Sequence, residues 1–219
     1  MKTLGNHGLA YLLTKGAAMT TGSLTKGVWY YVITKAAASS LPVRAGLPFV
    51  ATGATALVDG DKVIPLTKSL LGFARGKNLS QSKNVIDATT DSDNGVAYQL
   101  TDGMVTTSGS ISGNNEIPAA GSAQEKIMTM FQKVMRNNVP VEKEEDVVLL
   151  MIDWTARLMS ADGPKNGDPA EIDILPVVVT SKNTDGDYGG VKGFNIDFTG
   201  TSKDKDGCEP AHWVGKYVI

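Results

Sequence analysis

Residues 104–115 read MVTTSGSISGNN, and their two-residue period constrains the fold more than any other stretch of the chain. Val105, Thr107, Gly109 and Ile111 alternate with Thr106, Ser108, Ser110 and Ser112. Successive side chains of a strand point to opposite faces, so this pattern gives one mixed face and one face made only of small hydroxyls. A Ser/Gly-rich linker has no reason to alternate, and a helix would mix the two sets around its circumference. The same period returns in residues 191–201, where Phe194, Ile196 and Phe198 alternate with Asn195, Asp197 and Thr199. The weight of Thr, Ser, Gly, Val and Ile in the composition favours strands over helices throughout.

Further strands follow along the chain. In residues 27–37, Trp29, Tyr31 and Ile33 lie on one side and Val28, Tyr30 and Val32 on the other, which predicts burial on both faces. Asp59-Gly60 between apolar runs predicts a hairpin turn. Strands are expected in residues 78–90, and on both sides of a corner at Thr101-Asp102-Gly103. In residues 147–158, Ile152, Trp154, Ala156 and Leu158 oppose Asp153, Thr155 and Arg157. Pro176 within an apolar run predicts an edge strand or a bulge. One helix is expected over 122–137: Ser122 and Glu125 have capping-box spacing, Ile127, Phe131, Val134 and Met135 form its apolar stripe, and Asn137, Asn138 and Pro140 end it. The chain therefore reads as one mainly β domain over 1–219, with two packed antiparallel sheets in a sandwich or barrel-like arrangement flanked by one helix. Three further segments are expected outside the sheets: an N-terminal arm to residue 23, a long loop over 39–67 and a C-terminal arm over 208–219.

At 219 residues the chain can bury roughly 70% of its unfolded surface without staples. A net charge of −2 provides no basic footprint for tight nucleic-acid binding. The single Cys208 excludes an intramolecular disulfide and fits assembly in a reducing compartment. No apolar run reaches the roughly 20 residues of a membrane-spanning helix. The patch GLAYLL, ending at Lys15, is too short for a secretory signal.

Catalytic and metal-binding patterns fail one by one. His7 and His212 are far apart, and Pro210 breaks any helix that would join Cys208 to His212, so that pair is read as non-functional. GFARGKN has three residues between its glycines and Asn78 after Lys77, where a phosphate loop needs four and a hydroxyl. SKDKDGCE resembles part of a calcium loop, but Trp213 stands where the bidentate Glu belongs, so a solvated turn is expected. Asp153 and Asp197 read as surface acids on outward strand faces. No nucleophile elbow, zinc-protease helix or dinucleotide fingerprint is present in the sequence. The expectation is a protein that is not an enzyme and uses no cofactor or metal.

The ordered series SKNVIDATT, TDGM and SGSISG, with GVWYYVITKAAASSLP before it and the helix after it, resembles the tail tube (major tail) proteins of long-tailed bacteriophages, over most of residues 25–200. That resemblance implies the tail-tube fold and a structural virion protein, assembled in the bacterial cytoplasm, whose copies form hexameric rings. The rings stack into a tube through which DNA is ejected. It implies as partners other copies of the chain, a tape measure protein, tail terminator and baseplate or distal tail proteins, a sheath if the tail is contractile, and DNA in transit, without membrane insertion. On this reading Thr106, Ser108, Ser110 and Ser112, with Lys83 or Asn84 on the adjacent strand, belong to a lumen-lining or subunit-joining face. Leu47, Phe49, Val50, Trp213 and Tyr217 are expected to make contacts between rings or subunits. The alternative from another class is a β-sandwich binding module, for a receptor or carbohydrate, on a virion or cell surface.

Overall fold

The computed structural model describes residues 8–71, 74–87, 99–114, 119–141, 147–154, 165, 167–185 and 193–216. Its elements are β1 (Gly8–Lys15), β2 (Trp29–Thr34), β3 (Pro48–Val50), β4 (Lys62–Leu70), β5 (Ala74–Asp87), β6 (Gln99–Asn114), α1 (Ala123–Phe131), β7 (Met135–Arg136), β8 (Val139–Pro140), β9 (Val147–Trp154), β10 (Pro169–Asp185), β11 (Gly193–Gly200) and β12 (Ala211–Lys216). The chain is mainly β with one helix, as the sequence predicts. The expected pair of packed sheets is replaced by one ten-stranded antiparallel sheet and a two-stranded β7–β8 ladder. The large sheet runs β3-β2-β4-β1-β9-β10-β11-β6-β5, and β12 also pairs with β10.

This sheet needs no second sheet because it covers both of its own faces. Leu9, Leu13, Val148, Leu150, Ile152, Ile172 and Ile174 pack on one side with Trp29, Tyr31 and Cys208. Ala10, Leu12, Leu149, Leu175, Ile111, Phe194, Ile196 and Phe198 pack on the other with Ala123 and Ile127 of α1. The sheet curls around this second core. Lys77 on β5 ion-pairs with Asp153 on β9, although β5 lies four strands away in the ladder. Neighbouring strands are about 4.8 Å apart, so a flat sheet would hold these side chains far out of reach.

Several expected boundaries move, each for a physical reason. The N-terminal arm instead contributes β1, paired with β4 and β9 in the middle of the sheet. Its run LAYLL is apolar on both faces because both faces are buried. Residues 39–67 fold back on the chain's own sheet. There Phe49 is buried and stacks on Tyr30, with ring centroids 5.9 Å apart, and β3 pairs with β2. The Asp59-Gly60 turn forms, with Gly60 at φ 91°, but β4 pairs with β2 and β1 and closes no hairpin there. Asp61 beside it is buried and accepts from Ala36 N, Ser39 Oγ and Val58 N.

Pro176 lies on a central strand, not at an edge, and the register irregularity of that strand falls further along, between Val179 and Ser181. The Pro176 carbonyl accepts from Thr201 N at 2.9 Å, on the edge of β10 where β12 pairing ends at Ile174 and β11 pairing begins at Val177. N–H and C=O of one strand residue point the same way, so the missing donor falls in the break between two neighbours. The expected corner at Thr101-Asp102-Gly103 is absorbed into β6, with only an irregular register against β5. The helix ends at Phe131, short of residue 137. Asn137 and Asn138 both adopt left-handed backbone, at φ 49° and 63°, and turn β7 into β8. The stripe accordingly fails after Ile127: Phe131 and Met135 are exposed, and Thr129 is buried instead.

Candidate functional site

The hydroxyl face predicted for β6 is continuous with its neighbours. Ser112, Ser110, Ser108 and Thr106 lie across from Gly76, Asn78, Ser80 and Ser82 of β5. On the other side Ser112, Ser110 and Ser108 lie across from Asn195, Asp197 and Thr199 of β11. Directly opposed residues share a face, so three strands present one wall of short polar side chains. β10 extends it through Ser181, which donates to Asp197 Oδ2 at 2.5 Å and lies across from it. Asn195 Nδ2 donates to Asp197 Oδ1 at 3.2 Å. The reverse face of the same strands carries Ile111, Phe194, Ile196 and Phe198 into the core. Thr106 and Ser108 are exposed, and Ser110 and Ser112 half-buried.

Lys83 does not join this wall. It pairs with Val105 and therefore sits on the opposite face, with Ser82 in the place expected for it. Asn84 lies on β5 at the register irregularity between Lys83 and Val85. Asn78, Ser80 and Ser82 were missed because alternation within one strand says nothing of its register against the next.

Phe49, Val50 and Trp213, from two segments distant in sequence, line one apolar cavity of about 380 Å³. Trp29, Pro42, Val43 and Ile172 complete much of its wall, and Trp29 and Trp213 meet with ring centroids 5.8 Å apart. Phe49 is committed to this chain's own core, whereas Leu47 and Val50 are half-buried. The C-terminal segment expected as an arm places Ala211–Lys216 on β10 as β12. Tyr217 and His7 lie outside the described residues.

The turn expected to be solvated is so only in part: Ser202, Lys203 and Lys205 are exposed, while its carboxylates turn inward to Lys15. Lys15 Nζ lies 2.5 Å from Asp204 Oδ2 and 2.7 Å from Asp206 Oδ2, filling the space between the carboxylates with its own charge. Asp204 Oδ1 also accepts from Asp206 N and Cys208 N. Burial alone would raise the Asp204 carboxyl, but Lys15 and these N–H donors outweigh it and hold it below its ordinary range. Cys208 is fully buried, and burial pushes its thiol up to about 12, with Asp204 and Asp206 adding to the effect. His212 is half-exposed and lies against Asp173. Asp153 faces the curled core side and pairs with Lys77, while Asp197 belongs to the polar wall. The two acids therefore lie on opposite faces of the sheet, and only Asp197 keeps the outward placement expected for both.

The fold and these surfaces define a mainly β protein built on one curled antiparallel sheet, with a wall of short polar side chains and the single acid Asp197 on its outer face. No protein-family model, curated protein or solved structure matches the chain.

Proposed function

We propose that this chain is a structural protein that assembles with copies of itself into hexameric rings, stacked as the tail tube of a bacteriophage virion and serving as a conduit for DNA. The observation that carries the reading is the polar wall ending on β5, the last strand of the sheet order, whose outer edge has no neighbouring strand among the described residues. An unpaired edge is a template for another chain, and a ring of copies consumes such edges. A wall of Ser, Thr and Asn with a single acid suits passage of a duplex. A basic lining would hold the phosphates through counterion release. The tape measure, terminator, baseplate and sheath proteins belong to the same proposal. A receptor- or carbohydrate-binding module is the second reading, favoured by the aromatic lining of the cavity at Trp29, Phe49 and Trp213.

Negative-stain microscopy of the purified chain at increasing concentration tests the first reading. Rings or hollow tubes are expected, and monomers at every concentration would remove its basis.

A further inference from the structure

β10 and β12 run antiparallel with Asp173 directly opposite His212, and Glu171 lies two residues along β10. Residues two apart on a strand share a face, so all three side chains project on one side of the sheet. Their donor atoms lie within 4.8 Å of one another. Asp173 and His212 also line a groove of about 470 Å³ between β12 and the β5–β6 hairpin, with Gln81, Thr107 and Glu209 on its walls.

The arrangement around the imidazole is specific. His212 Nδ1 lies 2.7 Å from Asp173 Oδ1. A carboxylate only accepts, so in the neutral ring this contact places the proton on Nδ1 and leaves the Nε2 lone pair for a ligand. Nε2 in turn lies 3.7 Å from Glu171 Oε1. That distance is too long for a hydrogen bond. It is near the separation of about 3.3 Å between two ligands of a tetrahedral ion with bonds of about 2.0 Å. Carboxylate, imidazole and open ligand then stand in the order in which metal-binding histidines are held by their supporting carboxylates.

We propose that His212 Nε2 and Glu171 bind a divalent transition-metal ion of the zinc type, with Asp173 fixing the ring and water completing the coordination. The imidazole nitrogen selects zinc, nickel, copper or cobalt over the oxygen-preferring magnesium and calcium. One ligand comes from each strand, so the ion clamps β12 onto β10. The groove beside it leaves room for the bound waters. This proposal does not rest on the tube reading.

Calorimetric titration of the intact chain with zinc chloride tests it. One zinc per chain is expected, lost in His212→Ala, weakened about tenfold or more in Asp173→Asn, and retained in His7→Ala. Zinc should also raise the melting temperature of the wild type but not of His212→Ala. Nickel or copper should quench Trp213, the next residue on β12, in the wild type and in His7→Ala but not in His212→Ala. Wild-type protein that takes up no zinc at millimolar concentration would overturn the proposal. So would undiminished binding by His212→Ala with its circular dichroism unchanged, or loss of binding in His7→Ala. Calcium displacing the zinc would also count against it, because an acidic patch without the imidazole would behave in that way.

Discussion

Phe198 lies directly across the ladder from Gly109, and its ring occupies the space a side chain at position 109 would need. A Cβ there would stand 2.6 Å from Phe198 Cζ and 2.2 Å from the backbone oxygen of Asn78. Gly109 thus interrupts the apolar set of β6 so that a neighbouring strand's aromatic ring can cover the gap, a known way of packing a strand glycine. Gly109→Val should destabilise the fold by at least about 1–3 kcal/mol through overpacking against backbone that cannot yield. Ser108→Ala, one residue along on the exposed wall, should stay within about 0.5 kcal/mol. Urea unfolding of both variants makes the comparison, and equal stabilities would refute this packing.

The thiol of Cys208 should be silent in the native protein. It is buried in the core between the sheet and the Asp204 turn, and its pKa is pushed up to about 12. Thiolate is the reactive form, so a disulfide reagent at pH 8 should label less than a tenth of the chains over the time that labels unfolded chains fully. Rapid native labelling would mean that the 201–210 turn opens readily.

Stability should be flat from about pH 5 to 8.5 and fall on both sides. On the acid side, burial would raise the Asp61 carboxyl, but donors at Ala36, Ser39 and Val58 outweigh it and hold it low. Arg136 and Gly121 N hold Glu125 low against its burial, and Asp204 is low as described. Groups with lowered pKa contribute stability that is complete above their unfolded values, near 4, and lost as pH falls through their folded values. On the alkaline side the Cys208 thiol is raised from 9.0, so its contribution is complete below that value and lost as pH rises. Lys15 is raised from 10.5 because Asp204 and Asp206 outweigh the burial that would lower it, and its contribution is lost higher still. Urea midpoints measured from pH 3 to 10.5 check both edges. A midpoint that keeps rising below pH 4 would contradict the acid side.

Strand periodicity carried the polar wall, because alternation at 105–112 and 194–199 is a local property and both faces came out as read. The capping box was equally local, and Ser122 Oγ accepts from Glu125 N at 3.3 Å. Glu125 itself reaches back to Gly121 N and outward to Arg136, so its burial belongs to contacts made after the helix. What escaped the sequence is non-local. GLAYLL reads as a short apolar patch until β4 and β9 are placed on either side of it. Pro176 argues for an edge unless the change of neighbour from β12 to β11 is known. Glu171, Asp173 and His212 come together through a ladder register that no spacing along one segment encodes.

The cavity shared by Phe49, Val50 and Trp213 separates folding from assembly. Pro42 and Thr52 lie exposed at its wall, where new charge meets solvent in the isolated chain. Pro42→Asp and Thr52→Lys should therefore leave unfolding free energy within about 0.5 kcal/mol of wild type. A neighbouring subunit seated over an apolar cavity would instead have to bury an unpaired charge, which costs several kcal/mol per contact. In the proposed tube that contact would recur in every ring, so on that reading polymerisation should be lost altogether in either variant. Sedimentation and negative-stain microscopy of both variants beside wild type, under the conditions that test the proposed assembly, make the comparison. Normal tubes from both variants would show that the cavity faces solvent in the assembly and that ring contacts lie elsewhere.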